Sequence, residues 1–493
     1  MKKKTLKVGL AHGVFDIVHI GHLEHFRIAK QNCDKLIVSV TADKYVNKGP
    51  NRPAFNIKDR VNFLKSIKYI DEVIISNHET ALNNIKRVKP NLYFKGLDYN
   101  NVNLRAKNDL SKEINVLKKY GGKFFVTKSK LNSSSRILND NYNFIKKDLK
   151  TFLTTINKKE ILKKLNNSLF SNKIKFKGKV LLTGEQILDF YTRVNLQGKS
   201  QKSGVISSVK VKTEKYGGGS ILVASLFKNF FEKFSYLTDG NQFNVNITKK
   251  YIGKLNNINF ILTKRKLNKV LIKERFIDNY SKSRLFQLNQ NQKFYDTKNE
   301  NLKFQKIFKL KCHKYNNIVI FDFGYGYFDE KFAGSLKNKK NTFFINCQTN
   351  SSNYGFNLFS KFKKAEIMCV DEAEFRLTVR DKQKSIYDLL KENYKLLKNY
   401  KVFIVTSGSS GCYILSKNKT LYIPTVFETT ADTTGCGDIF FSTFIYLYIH
   451  KIFSLKEIAL LSHIAAGLHG LSPGNKNVIN KDKLFKSAQS ILK

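Results

Sequence analysis

Six cysteines spread over 493 residues form no CxxC pair and no metal-ligand spacing. That argues against a disulfide scaffold or zinc site and for reduced thiols in a cytoplasmic protein. Long apolar runs are also missing. The most apolar helix candidate, "IFFSTFIYLYIH", is about a dozen residues and too short to span a bilayer, so it reads as a buried core helix and no membrane partner is expected. The opening stretch, "MKKKTLKVGLAHG", is basic but holds no apolar core of signal-peptide length. Acidic residues are scarce: 38 Asp and Glu face 88 Lys and Arg, a formal net charge of +50. The lysines lie everywhere, mixed with Asn, Ile, Phe and Tyr, with no Arg-rich tract and no RGG-type segment. Such a spread is a compositional bias rather than a nucleic-acid footprint, so no specific nucleic acid is expected. Anionic small molecules are favoured, because every phosphate finds a cation nearby.

What is present is globular. Hydrophobic content of 42% and aromatic content of 13% supply ample core, and the length suggests two or three domains. Over the first 140 residues, "KVGLAHG", "KLIVSVTAD", "EVIISN", "LYFKG" and "KFFVTK" read as strands. They alternate with the helical patterns "IKDRVNFLKSIKY", "ALNNIKRVK" and "AKNDLSKEINVLKKY". That βαβ series predicts a parallel sheet with both faces covered. "FIKKDLKTFLTTINKKEILKKLNNSLFSNK" has no glycine or proline and reads as a helical linker. A second α/β series runs to the C-terminus. Its early segments "GVISSVKVKTEKY" and "KVLIKERFIDNYSKSRLFQLN" suggest a small antiparallel β flap on the main sheet. The expected fold is α/β, with two Rossmann-like three-layer domains. Residues 1–140 form the first domain, 141–174 the linker and 175–493 the second domain.

The stretch "GVFDIVHIGHLEHFRIAK" sets His19 and His22 around Gly21 where a strand gives way to a helix. Gly21 lets backbone approach a phosphate, and a helix N-terminus offers it free N–H groups. Two imidazoles there can donate to an α-phosphate whose charge grows during in-line displacement. This stretch resembles the HxGH nucleotidyltransferases of the cytidylyltransferase-like superfamily, over roughly the first 140 residues. The resemblance makes His19 and His22 catalytic and implicates Gly13, Phe15 and Gly21 in binding nucleotide. "NKGPNRPAFNIKDR" resembles a phosphate- and substrate-contacting segment, implicating Lys48 for the nucleotide and Arg52 and Arg60 for the substrate. "YFKGLDY" adds Lys95, Gly96 and Asp98. "LNSSSRILN" resembles the family's terminal hydroxyl cluster, so Ser133, Ser134, Ser135 and Arg136 would hold the β- and γ-phosphates. An N-cap serine accounts for one hydroxyl there, not for three and a guanidinium. Mg²⁺ bridging the phosphates is implied, with ATP or CTP as nucleotidyl donor.

Near the C-terminus, "ETTADTTGCGDIFFSTFIYLY" places Gly435 and Gly437 before an apolar helix, between Asp432 and Asp438. That is an anion-binding helix start beside a candidate general base. "DTTGCGD" resembles the DTxGAGD signature of ribokinase-type (PfkB-type) carbohydrate kinases, with Cys436 in the alanine position and Asp438 as the catalytic base. The resemblance covers about residues 175–493. It assigns Gly408 and Gly411 of "TSGSSG", with Asp432, Gly435, Cys436 and Gly437, to nucleotide and phosphate. Asp371 and Glu374 of "DEAE" would order Mg²⁺ indirectly, and ATP would be the phosphoryl donor. Gly218 and Gly219 of "YGGGSILVA", with Asp189 of "GEQILD", would meet the sugar. Three positions depart from the pattern: Leu222 and Asp371 stand for Asn, and Glu185 for Asp.

Joined, the modules resemble the bifunctional heptose-phosphate kinase/adenylyltransferases of lipopolysaccharide precursor synthesis, in swapped order. The implied function is phosphorylation of a sugar or sugar phosphate followed by nucleotidyl transfer. The alternative, favoured by Leu222, is a nucleotidyltransferase whose kinase-like domain only binds sugar. A flap of this type also leaves room for a homodimer through the kinase domain. His12 would contact nucleotide or pack, His25 would face the helix surface, and His463 and His469 would pack.

Overall fold

The computed structural model describes residues 6–46, 52–96, 104–127, 146–170, 178–238, 242–253, 256–263, 270–291, 298–336, 340–427, 430–476 and 478–492. The chain divides into two compact units, Met1–Lys175 with Asp482–Lys493, and Phe176–Lys481.

In the first unit, β1 (Val8–Gly13), β2 (Lys35–Thr41), β3 (Glu72–Ser76), β4 (Leu92–Gly96) and β5 (Lys123–Thr127) form one sheet in the order β3-β2-β1-β4-β5. Every neighbouring pair is parallel. Alternate residues serve opposite cores. Ala11, Val38 and Phe94 join one cluster with Phe26 and Leu64, whereas Leu10, Ile37 and Tyr93 join another with Ile85 and Leu117. Burial on both faces is why these strands read as continuous apolar runs. The order reverses direction beside β1, so the ligand crevice of such a sheet opens where β1 and β4 end, at Gly13 and Gly96.

The expected linker is not a spacer. Its helices Lys147–Thr154 and Lys158–Phe170 bury Leu149, Phe152, Leu153, Ile161, Leu165 and Leu169 within the first unit. Spaced three and four apart, these side chains make one apolar stripe on each helix, which needs a surface to cover it. The helix Lys481–Ile491, expected in the second domain, packs in the first unit as well. It buries Leu484, Phe485, Ala488 and Ile491, with the Phe485 ring 5.7 Å from that of Phe170.

The second unit carries a nine-stranded sheet of β6 (Val180–Gly184), β9 (Phe234–Thr238), β10 (Ile258–Leu262), β13 (Asn317–Asp322), β14 (Thr342–Cys347), β15 (Ala365–Asp371), β16 (Tyr400–Thr406), β17 (Cys412–Ser416) and β18 (Lys419–Ile423). Its order is β10-β9-β6-β13-β14-β15-β16-β17-β18, parallel from β10 to β16 and antiparallel beyond. The flap is a separate sheet of β7 (Gln186–Lys199), β8 (Ile206–Gly219), β11 (Leu271–Asp278) and β12 (Arg284–Gln290), ordered β12-β11-β7-β8. It is mixed rather than antiparallel: β7–β8 and β11–β12 run antiparallel, but β7 and β11 run parallel. Among the described residues, no helix is long and apolar enough to cross a membrane.

Candidate active sites

In the first unit, β1 ends at Gly13 and the chain turns through Phe15, whose φ of +49° is left-handed. A bulky residue there is held by its surroundings. Its ring lies 5.3 Å from that of Phe26 and meets the His22 ring edge-on, also at 5.3 Å. His19 caps the helix Ile20–Gln31, with Gly21 buried in its first turn. The His19 and His22 rings stack, centroids 3.9 Å apart and planes 24° from parallel. His22 Nδ1 accepts the His19 backbone N–H at 3.4 Å. With Nδ1 accepting, a neutral His22 carries its proton on Nε2, which is then a hydrogen-bond donor.

Lys95, the penultimate residue of β4, is buried and reaches across the crevice to donate to the His12 carbonyl at 3.3 Å. Two neighbouring histidines are thereby kept neutral. Burial, reinforced by Lys95, lowers the pKa of His12 to about 3 and that of His25 to about 4. Their Nδ1 atoms meet Ser39 Oγ at 3.0 Å and Thr127 Oγ1 at 2.6 Å. His25 is therefore buried rather than on the helix surface.

The arginines expected to bind substrate are engaged within the chain. Arg60 donates from Nε to the Phe55 carbonyl at 2.9 Å, and from Nη1 to the Val14 carbonyl at 2.6 Å. Its Nη2 meets Asp43 Oδ1 at 2.5 Å. Arg52 pairs with Asp16 at 3.3 Å, and Asp16 also accepts the backbone N–H groups of Ala54 and Phe55. Both guanidinium groups are spent tying residues 52–60 to the turn after β1. Arg60→Ala is expected to cost about 2–4 kcal/mol of stability, because two carbonyls and a carboxylate lose a buried donor. A lower unfolding midpoint that Arg60→Lys does not restore would show it, since lysine cannot span three acceptors from one plane. Lys48, Asp98, Ser133, Ser134, Ser135 and Arg136 lie outside the described residues.

In the second unit, a cavity of about 690 Å³ is lined by Gly408 and Gly411 after β16, by Asp371 and Glu374, and by Gly435 through Asp438. Its volume suits a nucleotide-sized ligand. The helix Cys436–Ile449 starts from Gly435, whose φ is +76°. A Cβ there would stand 2.5 Å from Leu222 Cδ2 and 2.8 Å from Asn475 Oδ1, so only glycine fits. Asp438 is buried in the first turn, and its Oδ1 accepts from Gln348 Nε2 at 2.6 Å. Burial raises its pKa to about 7 and the charge of Asp189 adds to this, while the Gln348 hydrogen bond opposes it. A carboxylate so placed has the properties of a general base that would work near neutral pH. Below about pH 7 it is protonated and cannot take a proton. Phosphoryl transfer by the free enzyme is thus expected to fall about tenfold per pH unit there, read as kcat/KM against pH.

Asp371 and Glu374 form a capping box at the helix Glu372–Val379: Asp371 Oδ1 accepts the Glu374 N–H and Glu374 Oε2 the Asp371 N–H, each at 2.7 Å. Glu374 Oε1 takes the Thr349 N–H at 2.8 Å. Burial, then the charge of Asp371, raises the Glu374 pKa to about 8. Hard oxygens on the cavity wall suit Mg²⁺ carried in with phosphates. No cluster of three potential ligands exists among the described residues.

Asp432 does not line this cavity. Its Oδ2 accepts from Tyr191 Oη at 2.8 Å and the Gly474 N–H at 2.9 Å, and its Oδ1 accepts from Thr434 N–H and Arg284. Burial alone would raise its pKa, but these hydrogen bonds hold it below the usual carboxylate range. Its task is to pin the glycine turn to the flap. Asp189 Oδ1 accepts from Arg275 at 2.6 Å and Oδ2 from Asn475 at 2.9 Å. A Cβ on Gly218 would fall 1.9 Å from Asp189 Oδ2, so that glycine makes room for the carboxylate. Glu185 is buried and accepts the Phe323 and Tyr325 N–H groups. His463 packs on Phe440 at 4.9 Å and also lines the cavity. Gln348, Arg275 and Asn475 were missed. Only alternating cations in "LIKERF" could have signalled Arg275.

Residues 10–140 match the family described as cytidylyltransferase-like, and residues 286–479 the pfkB family of carbohydrate kinases. Curated relatives include "Bifunctional protein HldE" of Gluconacetobacter diazotrophicus, 37% identical over 100 residues, which are 20% of this chain and 21% of that one. The protein of that name from Campylobacter fetus is 40% identical over 90 residues, 18% and 20% of the two chains. That from Caulobacter is 35% identical over 136 residues, 27% and 26%. The chain spans about a fifth to a quarter of the length of these relatives. Among solved structures, a ribokinase of Thermotoga maritima aligns with a TM-score of 0.47 and 14% identity, over 62% of this chain and 98% of that one. Phosphofructokinase-2 from Escherichia coli in complex with potassium aligns with a TM-score of 0.48 and 12% identity, over 64% and 99%. In series along the chain, residues 10–140 are thus similar to the cytidylyltransferase-like family and residues 286–479 to the pfkB family of carbohydrate kinases.

Proposed function

We propose that the chain is a bifunctional transferase acting on a heptose-like sugar phosphate. The second unit phosphorylates it with ATP. The first unit couples a sugar phosphate to a nucleotidyl group from ATP or CTP, giving a nucleoside-diphospho-sugar precursor for surface polysaccharide or lipopolysaccharide. The observation that carries this reading is the gathering of Asp371, Glu374, Gly408, Gly411, Gly435, Cys436, Gly437 and Asp438 on one cavity. For the first unit, support comes from the stacked His19 and His22 at the switch of the parallel sheet.

In the kinase step, Asp438 takes the proton of the acceptor hydroxyl. The hydroxyl oxygen bonds to the γ-phosphorus as the bond to ADP breaks. Backbone N–H groups at the start of the helix Cys436–Ile449 meet the charge gathering on the phosphoryl oxygens. Mg²⁺, when bound with ATP, neutralises phosphate charge, and Asp371 and Glu374 would order it. In the transferase step, a substrate phosphate oxygen bonds to the α-phosphorus and pyrophosphate leaves, while His22 Nε2–H donates a hydrogen bond to an α-phosphate oxygen.

A second reading keeps the transferase and leaves the kinase unit as a sugar-binding module. Leu222 favours it, since a buried leucine cannot replace an amide partner for a sugar hydroxyl. Incubating the protein with ATP, CTP and a sugar-phosphate panel tests both readings by mass spectrometry of the products. Absence of pyrophosphate release with every triphosphate would reject the transferase. Identical product and turnover from Asp438→Asn would favour the second reading. We place the protein in the cytoplasm because all six cysteines are free thiols. A homodimer through the flap is supported by exposed Ile206, Val209, Phe286 and Leu288.

A further inference from the structure

The edge strand of the flap is irregular at one point. Along β12, Phe286 lies opposite Phe276 of β11, but Arg284 lies opposite Ile277, so Leu285 has no counterpart. That extra residue is a β-bulge, which re-aims the side chains beside it. Ile277 shares a face with Arg275, and Arg275 lies opposite Tyr191 of β7. In an unbroken ladder Leu285 would stand opposite Ile277, and Arg284 would point to the other side. The bulge puts Arg284 on the face of Tyr191 instead. The Phe276 and Phe286 rings, stacked 4.4 Å apart, lock the register on one side of it. On the other side Asp278 ties the hairpin turn: its N–H donates to the Ser283 carbonyl at 3.0 Å, and its carboxylate accepts the Ser281 N–H at 2.7 Å.

So aimed, Arg284 reaches from the flap to the glycine turn. Its Nη2 donates to Asp432 Oδ1 and, at 2.9 Å, to Thr434 Oγ1. The Asp432 side chain is 4% exposed and that of Arg284 48%. An ion pair with one partner half in solvent adds little to stability. Nor does Asp432 need the guanidinium to be satisfied, since Tyr191, Gly474 and Thr434 all donate to it. What Arg284 adds is a charge-assisted tie from the flap to Thr434. Thr434 immediately precedes Gly435, where the helix Cys436–Ile449 starts and where the turn begins to line the cavity.

We propose that Arg284 is a positioning residue for phosphoryl transfer. Carried by the flap, it fixes Asp432 and Thr434 and thereby holds the first N–H groups of the helix Cys436–Ile449 in place for the phosphoryl oxygens. This rests on the kinase reading for the chemistry at that helix. Arg284 touches neither nucleotide nor acceptor in this scheme, and Asp438 alone handles the proton.

Amide hydrogen exchange of the full chain, of Arg284→Met and of Arg284→Lys tests it without any acceptor. The probe is AMP-PNP with Mg²⁺, read on the peptide covering 433–440, which belongs to the second unit alone. In the wild-type protein the nucleotide should slow exchange there. Arg284→Met should lose about tenfold of that protection, because misplacing a reacting geometry by about 1 Å suffices for losses of this size. With a sugar phosphate that the wild type turns over, its kcat should fall about 10–100-fold while the KM for ATP changes little. Arg284→Lys should restore most of both, since the two contacts come from one nitrogen that an ammonium can replace. Without nucleotide, the flap peptides 206–219 and 271–290 should exchange alike in all three proteins. Equal protection of 433–440 in wild type and Arg284→Met, a loss that lysine does not repair, or faster exchange of the flap itself would each overturn the proposal. Absence of AMP-PNP protection anywhere in the second unit of the wild-type protein would instead reject the kinase reading, and the proposal with it.

Discussion

An Asp438→Asn protein should lose about three orders of magnitude in phosphoryl transfer, with the KM for ATP little changed. Removing a positioned general base costs about 10²–10⁴ in rate. The substitution is clean because asparagine has the same shape, and its Oδ1 can still accept the Gln348 amide that now meets Asp438 at 2.6 Å. It also removes a carboxylate whose charge burial disfavours, so the fold should be no less stable. Single-turnover formation of ADP with a sugar-phosphate acceptor reads the loss. Pyrophosphate release from a pre-phosphorylated sugar should be untouched, because that chemistry belongs to the other sheet. A rate within tenfold of wild type would remove Asp438 from the mechanism.

A His22→Ala protein should release pyrophosphate about 10³-fold more slowly. One donor to charge that develops in a transition state is worth about 10²–10³. The upper end is expected because two things go at once: the Nε2 donor, and the ring that stacks on His19 at 3.9 Å and holds it in place. Triphosphate binding should change far less than turnover, since the donor matters most as charge accumulates on the α-phosphate. Kinase turnover of the same preparation is the internal control. Near-normal pyrophosphate release would reject the assignment.

Strands were the most legible part of the sequence. "KLIVSVT", "NIVIFD" and "AEIMCV" carry mostly apolar runs because they lie inside sheets covered on both sides, and no neighbour is needed to recognise them. The flap was read only in part. The parallel pairing of Leu271 with Ile187 joins segments 84 residues apart, and nothing local encodes it. The same limit explains the charged residues. Gly435 and Asp438 stand out in the sequence because they fall within one turn of a helix. The internal partners of Arg60, Asp432 and Asp189 were not legible, because each is distant in the chain: Val14, Tyr191 and Arg275. A capping box, by contrast, needs only residues three apart, and "DEAE" contains one.

The return of the helix Lys481–Ile491 to the first unit makes the second a guest threaded into a host. On the ribosome the guest is complete before the host, because the segment that covers the host's last apolar surface is translated after all of residues 176–481. Until then Phe170 and its neighbours wait uncovered. A message broken anywhere in that long interval yields a first unit with an open flank, a substrate for proteases whatever the state of the second. Two covalent crossings also fasten the guest, so a single nick in either one leaves it tethered.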